Sequence, residues 1–532
     1  MMKTPPQTSG LAMMGMTQPL HAAVQSMPTK IATRFGTREK NWAGVRDTVA
    51  RLAGGLQNLG VRAGDRVAIL ALNSDRYTEY QFGVWWAGGV IVPMNVRWSA
   101  TEHAYSLRDS GAEILFIDEA FLPMLPAIRA EAPGLKHVVF LGDDNALEGG
   151  IVYSDIVSDS EPIEDARRAG EDLAGLYYTG GTTGFPKGVM LPHRALWYNA
   201  IVISGGCGLQ AEHVYLHAAP MFHLADGAMS GGVTAVGAEH VYLSMFEPQK
   251  TMDLIEQQKV THIVLVPTML AMVMQLPSFD PAKFSSLEGI VYGASPMPEG
   301  LLRNALTKLP GVKFMQGYGQ TELAPMATVL LPSHHVLDGP MSTKLRSAGR
   351  AVPGLEIRIV DENRQDVATG TVGEIAVKSP GAMHGYWNLP EQTAEALQDG
   401  WVFTGDGGYR DEDGFIFIVD RMKDMIVTGG ENVFSAEVES AISTHPAVGE
   451  VAVIGIPAEQ WGEAVHAIIV TRDGASPTEE EIITHCRDRI ANYKLPRSVS
   501  FREDPLPLSG AGKVLKRTLR EPYWADTDRK VN

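Results

Sequence analysis

Residues 177–190 read YYTGGTTGFPKGVM. The stretch carries the hydroxyls of Thr182 and Thr183, the glycines Gly180, Gly181, Gly184 and Gly188, and one cation, Lys187. Such a loop can wrap a phosphate chain. Glycine lets backbone N–H groups turn inward, hydroxyls donate hydrogen bonds, and lysine adds a point charge. It is not the Walker pattern G-x-x-x-x-G-K-[ST]. Counted from Gly181, Pro186 stands where the second glycine belongs and Gly188 where the metal-binding hydroxyl belongs.

Working outward, the chain has 532 residues, too many for one hydrophobic core. Apolar content of 45% and charged content of 20% are ordinary for a globular protein. A net charge of −17 argues against nucleic-acid or anionic-membrane binding, while leaving room for a local basic pocket. Cys207 and Cys486 are the two cysteines, far apart and in no metal-like spacing. The N-terminal stretch has no sustained apolar run of a secretory signal, and no stretch approaches the ~20 apolar residues of a membrane span. The expectation is a cytoplasmic protein without an integral membrane segment.

Trp42, Val45, Val49, Leu52, Leu56 and Leu59 predict an amphipathic helix ending near Gly60. VAILAL (67–72), VIVPMN (90–95), EILFID (113–118), HVVFL (137–141) and HIVLVP (262–267) read as strands, with helical stretches between several of them. That alternation predicts parallel, doubly wound α/β layers. After about Ala348 two β-rich runs flank a polar turn, suggesting a small antiparallel unit, and residues 411–420 add a hairpin. A compact mixed region of roughly 110 residues, enough to fold alone, begins at Arg421.

Four further segments carry candidate chemistry. In QGYGQTELAP (316–325), Glu322 offers the hard oxygen that Mg²⁺ favours, Thr321 a hydroxyl, and Tyr318 a flat ring for a purine. In WVFTGDGGYR (401–410), Asp406 can accept both hydroxyls of a ribose, although an Asp in a Gly-rich turn is by itself most often structural. In DRMKDMIVTGGENV (420–433), Arg421 suits a phosphate or ribose contact, and Gly429 and Gly430 permit close backbone approach. In LSGAGKVLKR (508–517), Lys513 sits in a Gly-rich loop able to deliver a cation, while Lys516 and Arg517 read as solvated or near coenzyme phosphates.

In this order the five segments resemble the adenylate-forming superfamily, in particular its acyl-CoA synthetases; one departure is Gly180, where the family has Ser. The resemblance implies a large N-terminal domain, 1–420, of two doubly wound α/β subdomains plus a small β-barrel-like subdomain. A small mobile α+β C-terminal domain, 421–532, follows, with its hinge at Lys423. It implies ATP/AMP, Mg²⁺ and coenzyme A as cofactors and cosubstrates, with a small carboxylic acid as substrate and a homodimer left open. Thr179 to Gly184, Lys187, Gln316, Gly317, Tyr318, Gly319, Thr321, Asp406, Arg421 and Lys513 then hold the nucleotide. Thr183 and Glu322 hold Mg²⁺, and Gly429 and Gly430 lie near coenzyme A. Thr183, Lys187, Glu322 and Lys513 carry catalysis, with Lys513 meeting the carboxylate and α-phosphate.

The acyl pocket is implied at His223, Gly293, Ala294 and Gly317, with Ser295 near the adenylate. His223 stands where amino-acid-activating relatives carry an Asp, which favours a plain carboxylic acid, fatty or otherwise apolar. Met221, Met229, Met315 and Met326 read either as an adaptable lining or as ordinary core. Loading of a carrier protein, and a non-catalytic adenylate sensor, are the rival readings.

Overall fold

The computed structural model describes residues 14–143, 149–179, 186–421, 424–429, 431–458, 460–487, 489–508 and 514–524. Four sheets organise them. The first has nine strands in the order Arg350–Ala351, Met326–Leu330, Lys313–Gly319, Gly289–Gly293, His262–Val264, Val214–His217, Glu239–Tyr242, Ile31–Phe35 and Arg38–Asn41. Its interior is parallel, with antiparallel strands at both edges. The second runs Gly385–Tyr386, Lys187–Pro192, Leu173–Thr179, Val90–Pro93, Arg66–Leu70, Ile114–Ile117, His137–Phe140 and Ile151–Val152. It too is parallel at its centre.

The helix Trp42–Asn58 forms as its apolar spacing predicts. Asn41 caps it by accepting from the Gly44 N–H at 2.8 Å, and the chain leaves through Gly60 at φ 97°. The helix Asp75–Trp86 is buried along its whole length. Its acids are therefore paired: Asp75 with Arg38 at 2.6 Å, and Glu79 with Lys40 and the Tyr153 hydroxyl. Arg38 and Lys40 belong to the hairpin Ile31–Phe35/Arg38–Asn41, which crosses into the first sheet. The periodicity of residues 31–41 did not announce that crossing.

The small antiparallel unit is the sheet Glu356–Val360, Gly373–Lys378, Trp401–Arg410 and Leu397–Gln398, with Ile416–Arg421 hydrogen-bonded to Trp401–Arg410. The last sheet joins Glu431–Val433, Ile426–Thr428, Gly462–Thr471, Val448–Ala458 and Ser498–Arg502 around its own core, including Ile426, Val438, Ile442 and Ile469. No helix among the described residues is long and apolar enough to cross a membrane.

The helix Leu224–Ala235 is pinned by a fully buried polar chain. Asp226 accepts from the Tyr215 hydroxyl at 2.6 Å and meets His217 Nδ1 at 2.6 Å. His217 Nε2 meets His240 Nδ1 at 3.0 Å, and His240 Nε2 reaches Thr234 on the same helix at 3.1 Å. Burial, then the neighbouring His217, pushes the His240 pKa well below the usual histidine value, so it stays neutral. Removing the carboxylate orphans two buried donors at once. Asp226→Ala should cost about 3 kcal/mol in urea denaturation; a loss below about 1 kcal/mol would show the chain to be dispensable.

Candidate active site

The parallel strands Gly289–Gly293 and Lys313–Gly319 end side by side, with Gly293 opposite Gly317. Carboxyl ends of parallel strands are where α/β sheets take ligands. A Cβ on Gly293 would lie 2.2 Å from the Gly317 carbonyl oxygen, and one on Gly317 2.9 Å from Met326 Sδ. Only glycine fits at either position, so the two strand ends approach closely. Beyond the ends, Ala294 and Ala324 hold left-handed φ values of 64° and 65°. Such strain in residues with a Cβ collects at binding sites. Ser295, Gln316, Tyr318, Gly319 and Thr321 border the same place, all partly exposed.

Tyr318 donates its hydroxyl hydrogen to Asp406 Oδ2 at 2.8 Å, across 88 residues of sequence. Asp406 lies not in a turn but in the strand Trp401–Arg410, only 6% exposed. Its backbone N–H donates to Thr404 Oγ1, and the preceding Gly405 N–H to Glu374. Arg421 is directly opposite Asp406 in the adjoining strand. The aromatic ring, carboxylate and arginine position expected around a nucleoside thus share one locality.

A third group was not foreseen. Tyr386 donates its hydroxyl hydrogen to Glu322 Oε1 at 2.8 Å, and Lys187 Nζ lies 5.0 Å from the centre of the same ring. Tyr386 stands between the candidate phosphate lysine and the candidate Mg²⁺ carboxylate. The strand Gly385–Tyr386 pairs with Lys187–Pro192, and the Met383 N–H donates to the Glu322 carbonyl at 2.9 Å. Helix His193–Gly206 clamps this crossing. Asn199 donates to the Leu323 carbonyl at 3.0 Å and accepts from Met326 N–H at 2.9 Å, while Arg194 bonds the Pro380 carbonyl. Arg194 and His384 also hold Glu171, whose carboxyl they keep down at about 2. In the sequence Tyr386 sits beside Trp387 in MHGYWNLPEQT; nothing local marks it.

Among the described residues no three acidic, histidine or cysteine groups gather into a metal cage. Mg²⁺ is commonly held by one or two carboxylates, substrate phosphates and water. Glu322, fixed by Tyr386 and by its own backbone, is a fitting carboxylate ligand.

The model for the AMP-binding enzyme family matches residues 20–387, and that for its C-terminal domain residues 437–513. The chain belongs to the AMP-binding enzyme family. It is 36% identical over 512 residues to a fatty acid–[acyl-carrier-protein] ligase, ScoC, of Streptomyces coeruleorubidus, covering 96% of each chain. It is 38% identical over 497 residues to a feruloyl-CoA synthase of Amycolatopsis, covering 93% of this chain and 96% of that one. The solved anthranilate CoA ligase AuaEII in complex with anthranoyl-AMP superposes with a TM-score of 0.88 at 29% identity, over 96% of this chain and 97% of that one.

Several other expected positions in this AMP-binding enzyme can be placed. Thr179 ends the strand Leu173–Thr179, and Lys187 begins the antiparallel partner strand directly opposite it. His223 caps the helix Leu224–Ala235, its Nδ1 accepting from Ala225 N–H at 3.2 Å. Met221 and Met229 are core, whereas Met326 stays partly exposed beside Gly317. Gly429, at φ 61°, packs under the exposed Trp461 ring. Lys516 is not solvated. Burial works against its charge, but Glu439 at 2.8 Å, with Asp420 and Asp424, raises its pKa overall. Arg517 is exposed and pairs with Glu521 at 3.0 Å. Gly180, Gly181, Thr182, Thr183, Gly184, Lys423, Gly430 and Lys513 lie outside the described residues.

Tyr386→Phe keeps the ring against Lys187 and deletes the bond to Glu322. The Mg²⁺ concentration that half-saturates ATP–pyrophosphate exchange should rise about tenfold. A magnesium titration overlaying the wild type would remove Tyr386 from the site.

Proposed function

We propose that this carboxylic acid–CoA ligase activates a fatty or other apolar carboxylic acid through an acyl-adenylate and passes the acyl group to coenzyme A. It uses ATP, Mg²⁺ and coenzyme A. The observation that carries the reading is the convergence of Lys187, Tyr386 and Glu322 in one group. Tyr318 and Asp406 pair in a second, and the paired strand ends at Gly293 and Gly317 are where an acid would lie.

A carboxylate oxygen attacks the α-phosphorus of ATP and pyrophosphate departs. The coenzyme A thiol, losing its proton, then attacks the acyl carbon, and AMP leaves with the oxygen that had bridged to phosphorus. The protein's part is positioning and charge neutralisation. Lys187 neutralises the departing pyrophosphate, and Lys513 the charge between carboxylate and α-phosphate. Thr183 and Glu322 would hold Mg²⁺, which would supply further neutralisation of phosphate charge. Tyr318 faces the adenine and Asp406 receives the ribose. An ammonium substrate finds no counter-charge at His223, since Asp226 is already committed to Tyr215 and His217.

The boundary at 420/421 separates the domain that builds the nucleotide site from the one that carries Lys513 and the Gly429–Gly430 turn. Alternation about Lys423 brings each to the site in turn. Similarity to the acyl-carrier-protein ligase favours one second reading, in which the thiol belongs to a carrier protein.

Incubation with ATP, Mg²⁺ and an acid panel, offering either coenzyme A or holo-carrier protein, separates the readings. Thioester on coenzyme A is expected; acylation of the carrier alone would favour the second reading, and no turnover with any acid a sensor. Lys513→Ala should lose at least about a hundredfold in acyl-adenylate formation while still converting synthetic acyl-adenylate to thioester. Equal losses in both half-reactions would refute the assignment. Lys423→Pro fixes φ at the hinge and should accumulate bound acyl-adenylate; near wild-type rates in both steps would misplace the hinge.

A further inference from the structure

The helix Ala100–Ser110 carries Asp109 in its last turn. A carboxylate is disfavoured there, because the helix dipole already places negative charge at that end. Asp109 is held instead by partners from two distant segments. The Tyr178 hydroxyl donates to its Oδ2 at 2.6 Å, and the Asn388 amide donates to its Oδ1 at 3.3 Å. Its backbone carbonyl accepts from Trp387 Nε1 at 2.8 Å. Burial, then Asp109 itself, pushes the Tyr178 pKa up, so the phenol keeps the proton that it donates.

Both segments border the candidate ATP site. Tyr178 precedes Thr179, where the strand entering the phosphate-loop sequence ends, and it lies opposite Gly188 on the strand that begins at Lys187. The Tyr178 ring packs against Gly188: a Cβ there would lie 3.1 Å from Tyr178 Cζ. The Gly188 carbonyl also takes the Trp387 N–H at 2.7 Å. Trp387 in turn follows Tyr386, whose ring stands between Glu322 and Lys187. Asn388 turns the chain at a left-handed φ of 57°. One acidic residue thus ties together the strand into the loop sequence, the strand out of it, and the segment that carries Tyr386. Successive side chains of a strand face opposite ways, so Tyr178 points away from the face that Tyr177 and Thr179 share. Asp109 acts from behind the site.

We infer, on the ligase reading above, that Asp109 is a positioning residue for the adenylation step. By fixing the Tyr178 ring against Gly188 and the Trp387–Asn388 turn behind Tyr386, it sets where Lys187 and Glu322 stand before ATP and Mg²⁺ arrive. The effect is large for a residue that touches no reacting atom, because a misplacement of ~1 Å in such a site can cost about a hundredfold. Coenzyme A attack on a finished acyl-adenylate does not call on Lys187 or Glu322, so the second half-reaction is insensitive to Asp109.

Asp109→Ala, Tyr178→Phe and the double variant test this through the two half-reactions. In ATP–pyrophosphate exchange with the acid that the wild type prefers, each single variant should raise the KM for ATP and the half-saturating Mg²⁺ concentration about tenfold. Thioester formation from synthetic acyl-adenylate, which consumes no ATP, should keep the wild-type rate. The double variant should be no worse than Asp109→Ala, since both changes remove the same bond. Asp109→Asn keeps an oxygen for the Tyr178 hydroxyl and should recover most of the loss. Tyr178→Phe retains the ring and its packing, so it decides the matter if Asp109→Ala does not fold. Equal losses in both half-reactions would make Asp109 a general support of the fold and overturn the inference. An unchanged KM for ATP in Tyr178→Phe, or additive losses in the double variant, would overturn it as well. A wild type that exchanges no pyrophosphate with any acid would sink the ligase reading, and the inference with it.

Discussion

The constraint on which the site depends is the return of residues 380–387 to the edge of the phosphate strand. Gly385 and Tyr386 pair with Met190 and Val189, and Trp387 N–H donates to the Gly188 carbonyl at 2.7 Å. This joins the second sheet to the segment that follows the first. The same crossing puts one phenol against both a carboxylate and an ammonium. Glu322 is held at its side chain by Tyr386 and at its carbonyl by Met383, so its position does not wait on a bound cation. A ligand carboxylate already oriented loses less freedom when phosphate and metal arrive, which is how preorganisation contributes to catalysis.

The crossing is in turn braced from the helix His193–Gly206. Asn199 uses donor and acceptor on backbone either side of the turn at Ala324, and Arg194 reaches across to Pro380 and Glu171. A Cβ on Gly381 would meet both Leu323 O at 2.5 Å and Asn199 Nδ2 at 2.8 Å. The first turns of the helix thus brace the nucleotide end of the site.

Much of the layer architecture was legible because burial imposes periodicity. The Trp42–Asn58 helix, the parallel strands and the antiparallel unit after residue 348 all follow from local apolar spacing. The Tyr318 and Asp406 segments stood out because their residue types are unusual in combination, and the fold joins those two side chains. What stayed hidden depends on distant pairing. The hairpin at 31–41 enters the first sheet through register with Glu239–Tyr242, information carried by neither segment alone. Tyr386 and Asn199 are ordinary residues until the fold sets them beside Glu322 and the turn at Ala324. Lys516 looked like a surface charge because Glu439 and Asp420 are remote in sequence.

Oxygen transfer tests the central claim, acyl-adenylate chemistry, most directly. The acid is supplied with both carboxyl oxygens labelled with oxygen-18, and the products are weighed after a single turnover with ATP and coenzyme A. The account predicts one labelled oxygen in AMP and the other in the thioester carbonyl, with none in pyrophosphate. Label appearing in inorganic phosphate, or unlabelled AMP beside a fully formed thioester, would contradict it.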